Sequence, residues 1–577
     1  MKILYGLIYE MDSSMKFMYI FLPCAIILLT ILYHFMKKHT KIWSALCAIP
    51  LIVYIIFLSK EYYVGNVNLT INRYAAFGVV CLFIALWGLV VLLKCKFKIC
   101  TIIVMILSAV VLLINIISIW AVWLRPNVAN FSHLGWTESF IKTIDYLEQE
   151  YILNDWKEID YNKIRNELIP KVKAAEQAGD ETGFVAALYE LKYEMSDGHV
   201  AVRGDIPGRD AAITRLAGND YGLSMFRTKN GEIIAILVDE NSECYKKGIH
   251  NGTVITKWNN VPVDEAAADV KCIDRIYEFQ TWENIHIGQP IFLAGEGGDQ
   301  VSVTFINDEG IEETIQLSSI GKYINRRTKA LAILFGDNVI SSNNYSMSMI
   351  DKNIGYLRIT EEEYSQDPLF ITKSTIKGFS QEIYDDLDGR LEKLREEGMD
   401  RIIIDIRNNE GGNGFESRTV ASMFTSNSVP YYLTLYKDGE YKVMSKAKDI
   451  HVSKWDELPV VVLVNGQTAS AGEEIANYLK GSKNVRIVGN TTTWGAVQGT
   501  GGSTILSGGK YELRFPITPT VGDDHLPVVD VKADRHARLT LDYQIEYSKE
   551  EAVEFFSTPG EDRVLEKAIE YIQQLNI

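Results

Sequence analysis

Two stretches in the second half of the chain carry residue types that could do acyl-transfer chemistry. The first is a glycine-rich turn, Asp405 to Gly414, whose backbone N–H groups could point at an anion. The second is an apolar run that leads through a short turn into a predicted helix headed by Ser470. The positive end of the helix dipole acts on this hydroxyl, and the N–H of Ala471 could donate to a developing oxyanion. A serine that only caps the helix is the alternative.

Three kinds of element must position these turns. From Gly135 to about Ala201, apolar residues recur every three or four positions, which predicts a small helical bundle. A β-rich stretch follows, in which Asn230-Gly231 is a hairpin signal. From about Asn353, apolar strands at 355–359, 401–406 and 459–464 alternate with helices, one of them at 376–397. This alternation indicates a covered, mainly parallel sheet. Ligands of such sheets bind beyond the carboxyl ends of the strands, where both turns are predicted.

The β-rich stretch resembles a PDZ domain. Residues 221–226 are similar to the strand that accepts a peptide C-terminus, a short helix then ends in Lys-Lys-Gly-Ile, and residues 251–263 are similar to the next strand. PDZ domains bind by adding a peptide strand to an exposed sheet edge. The resemblance implies peptide-binding positions at Gly222, Leu223 and Ser224, and a generic small β-barrel is the alternative.

Six motifs follow one another beyond Gly135. They are MSDGHV, the inserted PDZ-like stretch, DIRNNEGG, VNGQTASAGE, IVGNTTTWGAVQG and YELRFPITPTVGDDHLPVVDV. Their order resembles peptidase family S41, which includes the carboxyl-terminal processing peptidases and the tricorn-core proteases. The resemblance implies an α/β protease core with a ClpP/crotonase-like sheet and helices. Its implied site has Ser470 as the nucleophile, an oxyanion hole from Ala471 and from Gly411 or Gly412, and supporting positions at Asp405, Arg407 and Gln498.

The chain departs from the best-known branch of that family, which has a lysine downstream of the serine. Residues 493–498 keep a glutamine but contain no lysine, so a Ser/Lys dyad is not predicted. The tricorn-like branches use a histidine instead, and their pattern implies His199 as the general base, since an imidazole has a pKa near neutrality. Their late acidic residue corresponds to Asp523 or Asp524, with Asp523 favoured, while His525 is a competing base.

Charge and hydropathy divide the chain in two. Residues 1–125 carry eleven Lys and Arg against three Asp and Glu, a charge of +8, whereas the rest of the 577 residues carries −24. The first part holds four charge-free apolar runs, 17–36, 42–59, 74–93 and 99–124. Runs of about 20 such residues can cross a bilayer, and the lysines in the first and third connectors predict that both termini lie outside the cytoplasm. Buried core helices are the alternative interpretation of these runs.

Composition also excludes some functions. The overall charge of −16 argues against a nucleic-acid binder, because phosphates attract clustered Lys and Arg. The spacing of the seven cysteines indicates neither a disulfide framework nor a zinc site, so we predict no metal and no cofactor.

The sequence therefore predicts a multidomain, membrane-anchored, extracytoplasmic serine endopeptidase. Its partners would be protein or peptide substrates and the membrane lipid bilayer, and nothing in the sequence indicates an oligomeric state. A peptidase-like receptor or scaffold without activity is the alternative, suggested by the missing lysine. The predicted domains are four transmembrane helices at 1–125, a helical lead-in at 126–203, a PDZ-like domain at 215–320 and the α/β catalytic core at 321–577.

Overall fold

This computed structural model describes Ile52 and residues 128–575, apart from residues 205, 207, 338, 341–343, 428, 430–431, 438–439, 447–452, 498, 519–526 and 528–538. Two units are distinguished, residues 1–129 and 130–577, and the second contains nearly all of the described residues. The predicted domain boundaries are not tested by this division and stay predictions.

The first described segment is mainly helical, as predicted. Phe140, Ile144 and Leu147 recur on one face of its first long helix and are fully buried. They pack with Leu513 and Phe515 of a strand far along the chain. The elements of this segment are β1 (Val128–Asn130), α1 (Trp136–Glu150), α2 (Asn154–Lys157), α3 (Tyr161–Ala178), α4 (Glu181–Met195), β2 (Ala201–Arg203) and α5 (Arg209–Ala217).

The next segment contains short strands with a few helices between them. It comprises β3 (Asn219–Asp220), β4 (Ser224–Arg227), β5 (Ile233–Ile236), α6 (Glu243–Lys246), β6 (Ile255–Trp258), β7 (Val261–Pro262), α7 (Val263–Ala268), α8 (Trp282–Leu293), β8 (Gln300–Ile306), β9 (Glu312–Ser318), β10 (Gly321–Lys322) and α9 (Ile324–Phe335). Strands β4 and β5 form a hairpin, and β7, β6, β8 and β9 form a separate antiparallel sheet. A PDZ fold for this segment remains a prediction.

The last segment alternates strands and helices. It comprises β11 (Ser346–Asp351), β12 (Ile354–Arg358), α10 (Pro368–Lys377), α11 (Gln381–Glu396), β13 (Arg401–Asp405), α12 (Gly414–Phe424), β14 (Tyr432–Lys437), β15 (Glu440–Lys446), β16 (Val460–Val464), α13 (Ala471–Leu479), β17 (Val485–Gly489), β18 (Gly499–Ile505), β19 (Glu512–Thr518), β20 (Tyr543–Gln544), α14 (Lys549–Ser557) and α15 (Arg563–Gln574). Strand β19 pairs antiparallel with β18 and with β2, so this segment and the helical segment share a sheet.

A six-stranded sheet in the order β11-β12-β13-β16-β17-β20 forms the centre of the last segment. Strand β11 is antiparallel to β12, and every other neighbouring pair is parallel. Parallel neighbours have their carboxyl ends at the same edge of the sheet, so the turns that follow β13 and β16 lie side by side at that edge. The mainly parallel sheet that the sequence predicts is therefore present.

Both faces of this sheet are buried. Along β13, Ile402 and Ile404 pack with the helices α11 to α13, whereas Ile403 packs with α14, α15 and the β4–β5 hairpin. Alternate residues of a strand point to opposite faces, which explains why β13 is apolar throughout. The core that includes Ile403 continues into the β-rich segment, so that segment shares a core with the sheet.

The predicted multi-pass membrane location is contradicted. Apart from Ile52, the four apolar runs lie outside the described residues. Among the helices that the structure describes, none is long and apolar enough to cross a bilayer. The longest of them, α3, has 18 residues but carries Lys163, Arg165 and Glu167 among its charges, and such charges are costly in a bilayer.

Candidate active site

The turns after β13 and β16 are joined by side-chain hydrogen bonds. The N–H of Asn408 donates to Oδ1 of Asn465 at 3.0 Å, and Nδ2 of Asn465 donates back to Oδ1 of Asn408 at 2.6 Å. The Thr468 hydroxyl donates to the carbonyl of Ile406 at 2.8 Å. Because these groups are largely buried, the bonds fix the position of one turn relative to the other.

Ser470 ends the second turn and immediately precedes α13. Its φ of 54° and ψ of −125° lie outside the usual regions for a residue with a side chain, which is a strained arrangement. The side chain is half-buried and makes no capping hydrogen bond to the helix. Ser470 therefore does not act as a simple helix cap, which is the alternative that the sequence left open.

Two backbone N–H groups near Ser470 have no partner among the residues described. One belongs to Ala471, the first residue of α13, and the other to Gly412. The sequence allowed Gly411 or Gly412 as the second oxyanion donor. The N–H of Gly411 is already bound to Oδ1 of Asn409 at 2.8 Å, which favours Gly412.

Gly411 lies directly against the serine turn. With a φ of +96°, it adopts a conformation that side chains disfavour, and a Cβ built there would lie 2.6 Å from Cβ of Ser470 and 2.9 Å from N of Ala471. The first turn can therefore approach the serine only because this position has no side chain.

The variant Gly411→Ala is expected to lower kcat/KM for peptide hydrolysis by about 10²-fold, because the added methyl group must push the two turns apart. The matched control is Gly231→Ala, which has a φ of +84° but open space around its Cβ. This control should retain activity. Equal kinetics of Gly411→Ala and the parent would contradict the packing of the two turns.

Glu362 stabilises the glycine-rich turn through hydrogen bonds. Its N–H donates to the carbonyl of Gly411 at 3.0 Å, and its Oε1 accepts from Nδ2 of Asn409 at 2.9 Å. Burial raises the pKa of the fully buried Glu362 to about 8; the Asn409 bond lowers it, and Glu416 and Glu474 raise it further. At neutral pH the carboxyl is therefore mostly protonated.

His199 lies in the turn that follows α4. Its backbone N–H donates to Oδ1 of the buried Asp197 at 2.9 Å, and its ring contacts Trp494 with a centroid distance of 5.3 Å. Burial lowers the pKa of His199; Asp197 raises it, and Lys157 lowers it further. Nδ1 is buried without a hydrogen-bond partner among the described residues, and no hydrogen bond joins His199 to Ser470.

Glu473 supports the serine turn in a way that sequence reasoning missed. The Ser470-x-x-Glu473 spacing is that of a capping box, which would have singled out this residue. Instead, its carboxylate accepts hydrogen bonds from the N–H groups of Gly495 at 2.5 Å and Ala496 at 3.1 Å. The carbonyl of Ala496 in turn accepts from the N–H of Ser470 at 3.2 Å, so Glu473 fixes the loop that contacts the serine.

The predicted supporting residues Asp405 and Arg407 form a buried ion pair. Nη2 of Arg407 lies 2.6 Å from Oδ2 of Asp405, and the same guanidinium binds both carboxylate oxygens of Asp562 at 2.8 Å. Burial would raise the pKa of Asp405, but Arg407 and Arg358 outweigh it and lower that pKa to about 2. Asp562 also caps α15, so the pair fastens β13 to that helix.

The predicted peptide-binding residues Gly222, Leu223 and Ser224 are all buried. The hydroxyl of Ser224 lies 2.5 Å from that of Tyr323, and a Cβ on Gly222 would lie 2.5 Å from Cβ of Ser242. Neighbouring side chains therefore cover this turn, and peptide binding there remains a prediction.

Four residues singled out by the sequence, Gln498, Asp523, Asp524 and His525, lie outside the described residues. Within the described ranges, no group of His, Cys, Asp and Glu side chains has the arrangement of a metal site.

Part of the chain is similar to known peptidases. Residues 353–520 match the family model "Peptidase family S41". Carboxy-terminal processing protease CtpA of Bacillus subtilis (strain 168) is 33% identical over 144 residues, covering 25% of this chain and 26% of that protein. The chloroplastic carboxyl-terminal-processing peptidase 3 of Arabidopsis thaliana is 24% identical over 287 residues, covering 48% of this chain and 45% of that protein. The chain thus matches less than half the length of these relatives.

The crystal structure of mature CPAF is 12% identical, with a TM-score of 0.45, and the alignment covers 77% of this chain and 99% of that chain. Both sequence relatives are named as carboxyl-terminal processing enzymes. Residues 353–520 are therefore similar to peptidase family S41.

Proposed function

We propose that the chain is a serine endopeptidase in which Ser470 is the nucleophile and His199 the general base. The observation that carries this proposal is the serine turn itself. Ser470 has a strained backbone and an uncapped side chain, and it precedes an N–H on Ala471 that has no partner within the described chain. Positive φ angles of this kind gather at functional sites.

The reaction follows the Ser–His logic of acyl transfer. The Ser470 hydroxyl attacks the scissile carbonyl while its proton passes to His199, and the oxyanion accepts hydrogen bonds from the N–H groups of Ala471 and Gly412. His199 then gives the proton to the leaving amine as the C–N bond breaks, and the acyl group remains on Ser470 as an ester. Water next loses a proton to His199 and attacks this ester. The bond to Ser470 Oγ breaks as His199 returns the proton to that oxygen, which releases the acid product and restores Ser470.

Asp523, with Asp524 as its alternative, is the proposed partner of the His199 ring. A carboxylate on Nδ1 would hold Nε2 as the proton acceptor and stabilise the imidazolium that forms. The unpartnered Nδ1 of His199 within the described chain supports this assignment. The mechanism requires no lysine, which is consistent with the absence of lysine from residues 493–498.

For substrate capture we propose main-chain pairing at β4. Within the part of the chain that is described, this strand has a strand partner only on the β5 side. Addition of an extended peptide to the other edge would use backbone hydrogen bonds. Such pairing is compatible with the burial of Gly222, Leu223 and Ser224, because it does not depend on their side chains.

The proposed function is tested by incubating the full chain with an unstructured protein and with quenched fluorescent peptides, and by identifying new termini by mass spectrometry. We expect internal cleavage that continues with time and stops after treatment with a serine-directed phosphonate. A folded protein that binds these peptides without cleaving them would favour the receptor or scaffold alternative.

The pH dependence of kcat/KM tests His199. Burial lowers its pKa from the ordinary value near 6.5, so the neutral, proton-accepting form is already present at pH 7. We expect activity to fall only at acid pH, with a midpoint below about 6.5, and His199→Ala to lower kcat/KM by about 10²–10⁴-fold. His250, which packs on Tyr245, is the control, and His250→Ala should keep the parent's profile. A midpoint that is unchanged in His199→Ala would contradict the assignment.

A further inference from the structure

Trp494 lies between the His199 turn and the Ser470 turn. Its indole contacts the His199 ring edge-on, with an interplanar angle of 61°. The backbone N–H of Trp494 donates to the carbonyl of Thr468 at 2.9 Å, two residues before the serine. One residue therefore contacts the proposed base through its side chain and the nucleophile turn through its backbone.

Gly198 makes room for this indole. A Cβ built on Gly198 would lie 2.6 Å from Cε2 and 2.7 Å from Cζ2 of Trp494. Distances below 3 Å are not compatible with normal packing, so any side chain at this position would displace the ring. Because the fit is this close, a tryptophan at position 494 requires a glycine at position 198.

The loop that carries Trp494 is fixed on both sides. On one side, Glu473 of α13 binds the N–H groups of Gly495 and Ala496. On the other, the buried side chain of Asn284 in α8 donates to the carbonyls of Thr492 and Thr493, each at 3.0 Å, and accepts from the Thr492 N–H at 3.0 Å. A loop held this firmly presents the indole in one place.

We propose that Trp494 is a positioning residue, whose indole seats the His199 imidazole beside the Ser470 turn in the space that Gly198 leaves. This inference rests on the proposed function, in which His199 is the base. Trp494 forms and breaks no bond in the proposed reaction and acts through His199.

The indole also contributes to the apolar surroundings of His199. Burial is the largest influence that lowers the pKa of this histidine, ahead of the charges of Asp197 and Lys157, which act in opposite directions. A smaller side chain at position 494 admits water while both charges stay, so the pKa of His199 should rise toward its ordinary value near 6.5. A merely structural tryptophan would not shift this pKa.

The test uses Trp494→Phe, Trp494→Ala, Gly198→Ala and the double variant Gly198→Ala/Trp494→Phe in the full chain. We expect Gly198→Ala to lower kcat/KM by at least about tenfold, and Trp494→Phe to restore part of that loss when the two are combined. In Trp494→Ala, the acid midpoint of the kcat/KM profile should move up toward pH 6.5. Additive losses together with an unmoved midpoint would overturn the proposal.

A direct titration separates this inference from the proposed function. The chain has nine histidines, and the imidazole signal of His199 can be assigned by its absence from His199→Gln. If the parent cleaves no peptide, the proposed function fails, but the His199 pKa by NMR should still be higher in Trp494→Phe than in the parent. Equal pKa values in folded parent and variant would overturn the positioning role even in an active enzyme.

Discussion

Replacing Ser470 by alanine is expected to lower kcat/KM for peptide hydrolysis by at least about 10⁴-fold. The substitution removes the only atom that can form the acyl-enzyme in the proposed mechanism, while the donors on Ala471 and Gly412 stay in place. Since the Ser470 side chain makes no capping bond, the variant should fold as well as the parent. The measurement is the initial rate of cleavage of a quenched fluorescent peptide, with thermal unfolding as the check on folding.

A second serine provides the matched control for this prediction. Ser548 heads α14 and accepts a hydrogen bond from the N–H of Glu551 in a complete capping box. The variant Ser548→Ala should therefore lose about 1 kcal/mol of stability and retain its kinetics. If Ser470→Ala hydrolyses peptides as fast as Ser548→Ala, the nucleophile is another residue.

The largest expected effect on stability comes from Asp405→Asn. Asp405 is fully buried and is bound by Arg407, by Arg358 and by the hydroxyl of Tyr356 at 2.7 Å. Removing its charge leaves two buried guanidinium groups without full compensation, and breaking such a buried pair typically costs about 3–5 kcal/mol. Urea-induced unfolding of parent and variant measures the loss.

The pH dependence of the same measurement identifies the ionised form as the stabilising one. The pKa of Asp405 in the folded chain is about 2, below the ordinary value for Asp near 3.9. Its contribution is therefore complete above about pH 4 and is lost as the pH falls through 2, by about 2–3 kcal/mol in total. The difference between parent and Asp405→Asn should shrink over this window.

The exposed pair of Glu457 and Lys483 is the control for this prediction, since surface pairs contribute little. Glu457→Gln should unfold at the same urea concentration as the parent. A loss in Asp405→Asn no greater than in Glu457→Gln would contradict the stabilising role of the buried network.

Much of the fold could be predicted because its signals are local. The sequence predicts strands at residues 355–359, 401–406 and 459–464, and the structure has them within one residue at each end. A single helix predicted from 376 to 397 is instead two, α10 and α11. Gly378, with a φ of +61°, ends the first, and Ser380 caps the second. Glycine often ends a helix and serine often caps the start of one, so this boundary could have been predicted from the sequence.

The serine turn was also predictable, since a strand, a short turn and a helix follow each other in the sequence. The contacts of Trp494 were not, because Gly198 and Trp494 are distant in the chain and only the fold brings them together. The same holds for Arg407, whose second partner Asp562 lies 155 residues away. The family resemblance implied a supporting position at Arg407 but not its second partner, and the sequence did not single out Trp494.

The predicted peptide-binding turn also has contacts that local pattern does not report. A Gly-Leu-Ser sequence before a strand resembles an open carboxylate-binding loop, yet Ser242 and Tyr323 cover it. Coverage depends on which distant side chains pack on a turn, and hydropathy along the chain does not report it. The multi-pass location was an inference from hydropathy as well, and it is contradicted by the absence of any sufficiently long, apolar helix among the described residues.

The identity of the nucleophile is tested most directly by a covalent label. The full chain is treated with a fluorophosphonate, digested, and searched by mass spectrometry for the modified residue. The proposed mechanism predicts one adduct on Ser470, which is absent in Ser470→Ala. This adduct should form faster at a pH where His199 is neutral than at an acid pH where it is protonated. A folded, peptide-cleaving protein that carries the adduct on a different residue, or carries none, would contradict it.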